Sequence, residues 1–298
     1  MKFKDFAVAA GVTTGISVLA YKKISDDMFR SIFSRRDKQD IVDQKYLDWI
    51  SSSAVDQVSV NSFDGLKLNA YDIHNNDTDK YIIMVHGIWS SKAFLYERAF
   101  HYDSLGYNLL MIDQRSAGDS EGENYTYGQK EALDLTVWIN YLVEKKNDVK
   151  ICLYGHSMGA ATVMIATAYD LPDNVKCIVE ESGFSSMKEE MDHILRKNYK
   201  ISYTGISLMM IESRMKKEFG VSFDDIAPKT FLENNEIPIL FVHGEKDDFV
   251  PFEMSKILYN HNKGVRKIYP VPDAGHVDSD QNPDYYKNIN SFIETYMI

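Results

Sequence analysis

The spacing of apolar and polar positions divides the chain into three unequal stretches. Residues 6–21 run for sixteen positions without a charge and are closed by Lys22 and Lys23. Residues 24–53 change to helical spacing, with Phe29, Ile32, Phe33, Ile41, Val42, Tyr46, Leu47, Trp49 and Ile50 as the apolar positions of one amphipathic helix or two. Beyond residue 55 the period switches repeatedly between two and 3.6. Residues 57–60 and 66–73 alternate as strands, joined by the hairpin signal Phe63-Asp64-Gly65. Residues 81–85 form a solid apolar run, as expected of a strand covered on both faces. Then come a helix over 94–105, a strand over 108–112, and a helix over 128–145 with Ala132, Leu135, Val137, Trp138, Tyr141 and Leu142 inward. A strand over 151–154, a helix over 160–168 and strands over 175–179 and 237–242 follow. A helix over 253–260, a strand over 267–271 and a helix over 283–296 end the chain. The pattern predicts an α/β fold: one mostly parallel, doubly wound sheet with right-handed crossovers and an antiparallel N-terminal edge.

One segment breaks the rhythm. Nearly sixty residues separate the strands ending at Val179 and starting at Ile237, and helical spacing is predicted over 185–196, 207–219 and 223–233. Ile206, Leu208, Met209, Met210, Ile211 and Met215 make this insertion dense in soft apolar side chains. Two readings stand: an extra packed helical layer, or a cap over a cleft that adapts to varied apolar groups. The predicted organisation is therefore an anchor or signal-like helix over 1–23, a helical segment over 24–55, and an α/β domain over 56–298 with a helical cap insertion at 184–235.

Composition and charge narrow the partners. The net charge of −11 argues against nucleic acid, which calls for a basic face. Residues 1–38 hold eight Lys/Arg against four Asp, which is +4, so the remainder carries −15. At ~1.5 Å per residue the sixteen-residue run makes a helix of about 24 Å, against a hydrocarbon core of ~30 Å. It spans a bilayer with snorkelling lysines and local thinning, and a single-pass membrane anchor is the expectation. A cleaved signal ending near Val18-Leu19-Ala20, giving a secreted protein, and an ordinary helix of a cytoplasmic one are the alternatives. Gly11 and Gly15, with Ala7 four positions earlier, form a small-residue stripe suited to a homodimer. The side of the membrane stays open: Arg30, Arg35, Arg36 and Lys38 favour a cytoplasmic domain, the short Lys-Phe-Lys start an external one. Cys152 and Cys177 lie in apolar strand runs without metal spacing and read as buried free thiols. With no metal motif and no phosphate loop, no cofactor is expected.

The chemistry gathers at Gly155-His156-Ser157-Met158-Gly159, a G-x-S-x-G turn between a strand and a helix. Such a turn exposes the serine hydroxyl at the end of a sheet and beside a helix N-terminus, where developing negative charge is favoured. A serine needs a base to take its proton and an acid to orient that base. In sheets of this kind the partners belong just after later strands. Asp247 follows the strand over 237–242, and His276 follows the strand over 267–271. Asp248 is a second candidate for the acid and His261 for the base.

His86-Gly87, Asp113-Gln114-Arg115 with Gly118 and Ser120, the Ser157 turn, His243-Gly244-x-x-Asp247-x-x-Val250-Pro251 and Gly275-His276 occur in order at strand ends. In these motifs, which run from 81 to 276, the chain resembles the α/β-hydrolase superfamily, in particular serine esterases and related peptidase-like hydrolases. The resemblance implies Ser157 as nucleophile, Asp247 as acid and His276 as base. It implies an oxyanion hole from the backbone N–H groups of Met158 and Ile88, with Trp89 as the alternative to Ile88. His86 and His156 are expected to be structural, Asp113 and Arg115 to tie their turn, and Glu180 and Glu181 to make ion pairs or touch substrate. The implied activity is cleavage of a small-molecule or lipid-like acyl ester through an acyl-enzyme. Amide or peptide cleavage, acyl transfer, and a catalytically silent binding protein are the alternatives. Branches that use an aspartate nucleophile are excluded by Ser157.

Overall fold

The structure, a computed structural model, describes residues 26–27, 29–36, 40–199 and 205–298. The expected anchor over 1–23 and the Gly11/Gly15 stripe lie outside the described residues. Among the described residues no helix is long and apolar enough to cross a membrane.

Among the described residues eight strands form one sheet in the order β1-β2-β4-β3-β5-β6-β7-β8. They are β1 (Val55–Asn61), β2 (Lys67–Ile73), β3 (Lys80–Val85), β4 (Asn108–Ile112), β5 (Lys150–His156), β6 (Val175–Glu181), β7 (Ile239–Gly244) and β8 (Arg266–Val271). β1 and β2 pair antiparallel across a hairpin whose Gly65 takes φ 92°, a left-handed conformation that glycine adopts without strain. β2 pairs antiparallel with β4, and all later pairs are parallel. This is the expected sheet with its antiparallel edge, and the strand bearing the G-x-S-x-G turn lies near its centre.

Besides the helical residues 29–33, the helices among the described residues are α1 (Gln44–Ser52), α2 (Tyr96–Ser104), α3 (Gln129–Lys145), α4 (Met158–Ile165), α5 (Met187–Tyr199), α6 (Gly205–Phe219), the single turn α7 (Pro228–Phe231), α8 (Phe252–His261) and α9 (Tyr285–Tyr296). The solid run in β3 has its expected cause. Tyr81, Ile83 and Val85 join a core with residues of α3, α4 and α8, while Ile82 and Met84 join one with residues of α1, α2 and α9. The glycines beside Ser157 are required by close approach. A Cβ on Gly155 would lie 2.3 Å from the Gly159 carbonyl oxygen, and one on Gly159 would lie 2.1 Å from that of Val85.

Two expectations need correction. Ile41 is fully exposed and Leu47 is 40% exposed, although helical spacing placed both inward. α1 starts only at Gln44, capped by the Asp43 side chain, so Ile41 is outside any helix and its periodic position has no meaning. The helix predicted over 223–233 is three short pieces, 3₁₀ turns at Asp224–Ile226 and Leu232–Asn234 around the α7 turn. Pro228 takes the first position of α7, where its missing N–H is harmless and where a preceding helix cannot continue. In the methionine-rich stretch, Ile211 and Met215 are buried in the main core and Met209 is exposed.

Candidate active site

Ser157 follows β5 and caps α4 with φ 56° and ψ −116°, a conformation costly for a residue with a side chain. Its backbone is held from both sides: its N–H donates to the Glu181 carbonyl at 2.8 Å, and its carbonyl accepts from Ala161 at 3.1 Å. The Oγ lies 2.9 Å from His276 Nε2. His276 Nδ1 lies 2.7 Å from Asp247 Oδ2. The structure thus brings together the three side chains expected from the chain order, from the ends of β5, β7 and β8. Gly275 N–H donates to Asp278 at 2.5 Å and Lys246 N–H to the Ala274 carbonyl at 2.8 Å, which fixes the two loops relative to each other.

Asp247 is the more heavily partnered candidate. Its Oδ1 accepts from the N–H groups of Phe249 at 3.0 Å and Val250 at 2.9 Å. His243 Nε2 approaches Oδ2 at 3.2 Å and the Val250 carbonyl at 2.8 Å. Burial alone would raise the carboxyl; hydrogen bonds from His243 and His276 outweigh it and hold Asp247 well below the usual carboxylate range. Asp248, the alternative acid, is exposed and paired with Lys197 at 2.7 Å. His261, the alternative base, pairs with Glu233 at the end of α8.

Met158 is the first residue of α4, so its N–H has no carbonyl one turn earlier to bond. Ile88 and Trp89 pack against Met158, Ala117 and Tyr125. Trp89 has φ 56°, and its indole N–H is buried without a partner. The loop they occupy is held by the segment before α1, a feature sequence reasoning missed. Asp40 accepts from Ser90 Oγ at 3.1 Å and from Ser91 N–H and Oγ at 2.9 and 2.7 Å. The Arg36 guanidinium lies 3.6 Å above the Trp89 ring.

The remaining motif residues sit where packing needs them. His86 is fully buried, accepts from Gln114 N–H at 3.1 Å and is pushed down by burial. His156 contacts the His276 carbonyl at 3.1 Å, and burial lowers it to about 4. Asp113 accepts from Lys92 N–H at 2.8 Å and Nζ at 2.5 Å, and Arg115 forks onto Asp134 at 2.7 Å. A cleft of about 440 Å³ between Phe29, Arg35, Glu123 and Arg214 lies elsewhere; there Arg214 bonds Glu218, and Arg35 bonds backbone carbonyls. Among the described residues no cluster suits a metal ion.

A family model of the alpha/beta hydrolase fold matches residues 80–202. The esterase Pf2001 of Pyrococcus furiosus superposes with a TM-score of 0.66 at 23% identity, covering 89% of this chain and 100% of that one. The protein YqkD of Bacillus subtilis is 25% identical over 232 residues, 78% of this chain and 74% of that one. The lysophosphatidylserine lipase ABHD12 of Danio rerio is 30% identical over 163 residues, 53% of this chain but only 40% of that protein. The chain has the α/β-hydrolase fold.

Proposed function

We propose that the protein is a serine hydrolase that cleaves carboxylic acyl esters through an acyl-enzyme. The observation that carries this reading is the relay from Ser157 Oγ through His276 to Asp247 at 2.9 and 2.7 Å, mounted on a strained strand-to-helix turn. His276 Nε2 takes the Ser157 proton as the hydroxyl attacks the ester carbonyl, then returns it to the leaving alcohol oxygen. The anionic oxygen formed on attack is received by the backbone N–H groups of Met158 and Ile88; one such donor is typically worth ~10²–10³ in rate. Water, deprotonated by the same nitrogen, then releases the acid and restores Ser157. Asp247 holds the imidazole in register and stabilises its cation. Esterase and lipase among the similar proteins support an ester over an amide.

The test is covalent labelling by a fluorophosphonate, which reacts with an activated serine. The folded wild type is expected to label and to hydrolyse p-nitrophenyl esters, and Ser157→Ala to do neither. Equal labelling of Ser157→Ala, or a folded wild type that never labels, overturns the proposal.

A further inference from the structure

Resting on that reading, the structure assigns a further role to Glu190 of α5: we infer that it is a specificity-determining residue that receives an ammonium group on the alcohol portion of the ester. Glu190 is 4% exposed, and neither of its carboxyl oxygens has a hydrogen-bond partner. A buried carboxyl without partners is a standing penalty in an empty site and an asset once a cation arrives to balance its charge.

Its helix lies beside the loop that carries the candidate acid. Glu190, His193 and Lys197 recur three and four residues apart and share one face of α5. His193 and Lys197 reach the Asp248 carbonyl at 3.1 and 2.6 Å, and Lys197 pairs with the Asp248 side chain. That face therefore lies against the loop that carries Asp247. The Asp247 carboxylate acts on Glu190, and Glu190 in turn acts on the Tyr127 phenol. His276 hands its proton to the leaving oxygen, so the alcohol portion belongs on the histidine side of Ser157, the side on which Asp247 stands.

The surroundings select a cation. Asp247 is ionised, and Lys197 is already paired with Asp248. Burial, then repulsion from Asp247, push Glu190 up to about 8, so the empty carboxyl keeps its proton near neutrality. An ammonium reverses both effects, and the proton leaves to solvent. Phe249, 41% exposed on the same loop and tilted against the His276 ring at 4.8 Å, offers the aromatic face that cations favour.

The experiment compares a medium-chain acyl ester of choline with the same ester of 3,3-dimethylbutanol, its neutral isostere, at 0.3 M salt to screen the overall negative charge. Wild type is expected to prefer the choline ester in kcat/KM by about tenfold, and Glu190→Gln to lose most of that preference. The ratio is the readout, so any common loss of turnover cancels. A ratio near one in wild type, or a preference that persists in a folded Glu190→Gln, overturns the inference. Wild type alone gives a second reading: free choline should slow fluorophosphonate labelling of Ser157 more than 3,3-dimethylbutanol at equal concentration, and equal protection overturns the inference. Hydrolysis of the neutral ester with labelling, but no cation preference, sinks the Glu190 role alone. Absence of labelling and of any ester hydrolysis sinks the serine-hydrolase reading itself.

Discussion

Glu180 and Glu181 are neighbours at the end of β6, both completely buried, and they live in opposite electrostatic worlds. Glu181 faces α2 and α9. Arg98 binds it at 3.1 Å, Tyr285 donates to it at 2.8 Å, and Tyr154 makes a very short bond to it. Burial would raise this carboxyl, but Arg98 and the hydrogen bonds bring it down to about 2. Glu180 faces α4. Its Oε2 accepts only the Gly183 N–H at 3.0 Å, its Oε1 has no partner, and burial pushes it well above the ordinary range. Glu190 on the same side is unpartnered on both oxygens. The layer beneath the nucleophile is thus saturated with paired charge, while the α4–α5 side holds carboxyls still lacking partners. A saturated network fixes geometry. The unsaturated side is where a ligand has something to satisfy.

Asp247 belongs with the saturated group and Asp248 with exposed surface, and separating the two gives the largest expected effect. Asp247→Asn keeps the shape but loses the charge that selects the His276 tautomer, so kcat should fall by about 10⁴, the scale seen when a triad aspartate is replaced. Asp248→Asn, which removes only an exposed ion pair with Lys197, should stay within a few-fold of wild type. Ester-hydrolysis rates decide it: a large loss on Asp248→Asn instead would mean that the acid has been misassigned.

A stability experiment probes the saturated layer. Arg98 also binds Asp280 at 2.8 Å, so it joins the start of α2, the end of β6 and the turn before α9. Arg98→Met leaves Glu181 and Asp280 facing each other without a counter-charge. Breaking a buried pair from one side costs about 3–5 kcal/mol. Urea melts should show that loss at neutral pH, and a loss below about 1 kcal/mol would remove the contrast between the two sides.

The saturated and unsaturated sides were not equally legible in the sequence. The succession of strands and helices along the chain and the Ser157 turn follow from periodicity and local spacing, and the choice of Asp247 over Asp248 follows from the D-x-x-V-P pattern of the family the chain resembles. The structure keeps them because each functional side chain sits at a strand end that a βαβ pattern already locates. Pro228 was a local signal too, and reading it as a first helical residue would have broken the helix expected over 223–233. Glu190 had no such signal: it stands among Lys188, Glu189 and Asp192 on a helix predicted from spacing alone. Its burial comes from the packing of α5 against loops more than fifty residues away. The clamp of Asp40 on Ser90 and Ser91 is equally non-local, since nothing in either segment names the other.

The smallest expected effect concerns the pH at which each side weakens. A carboxyl with a raised value in the folded state keeps its proton after the unfolded chain has released it, so stability falls as pH rises. For Glu190 the window runs from its ordinary 4.5 to about 8. Glu180 is raised in the same direction and adds to the same loss. Glu181, lowered to about 2, works the other way: its stabilisation is complete above its ordinary 4.5 and is lost only as pH falls toward 2. Replacing Glu180 and Glu190 together by Gln should therefore leave urea stability unchanged near pH 4.5 and raise it at pH 8.5 by about 1–3 kcal/mol, the penalty of an unsatisfied buried group. The acid limb below pH 4 should be unaffected, because Glu181 still carries it. If the double variant instead loses stability at pH 8.5, the α4–α5 side is satisfied in solution and the contrast drawn from Glu180 and Glu181 does not extend to Glu190.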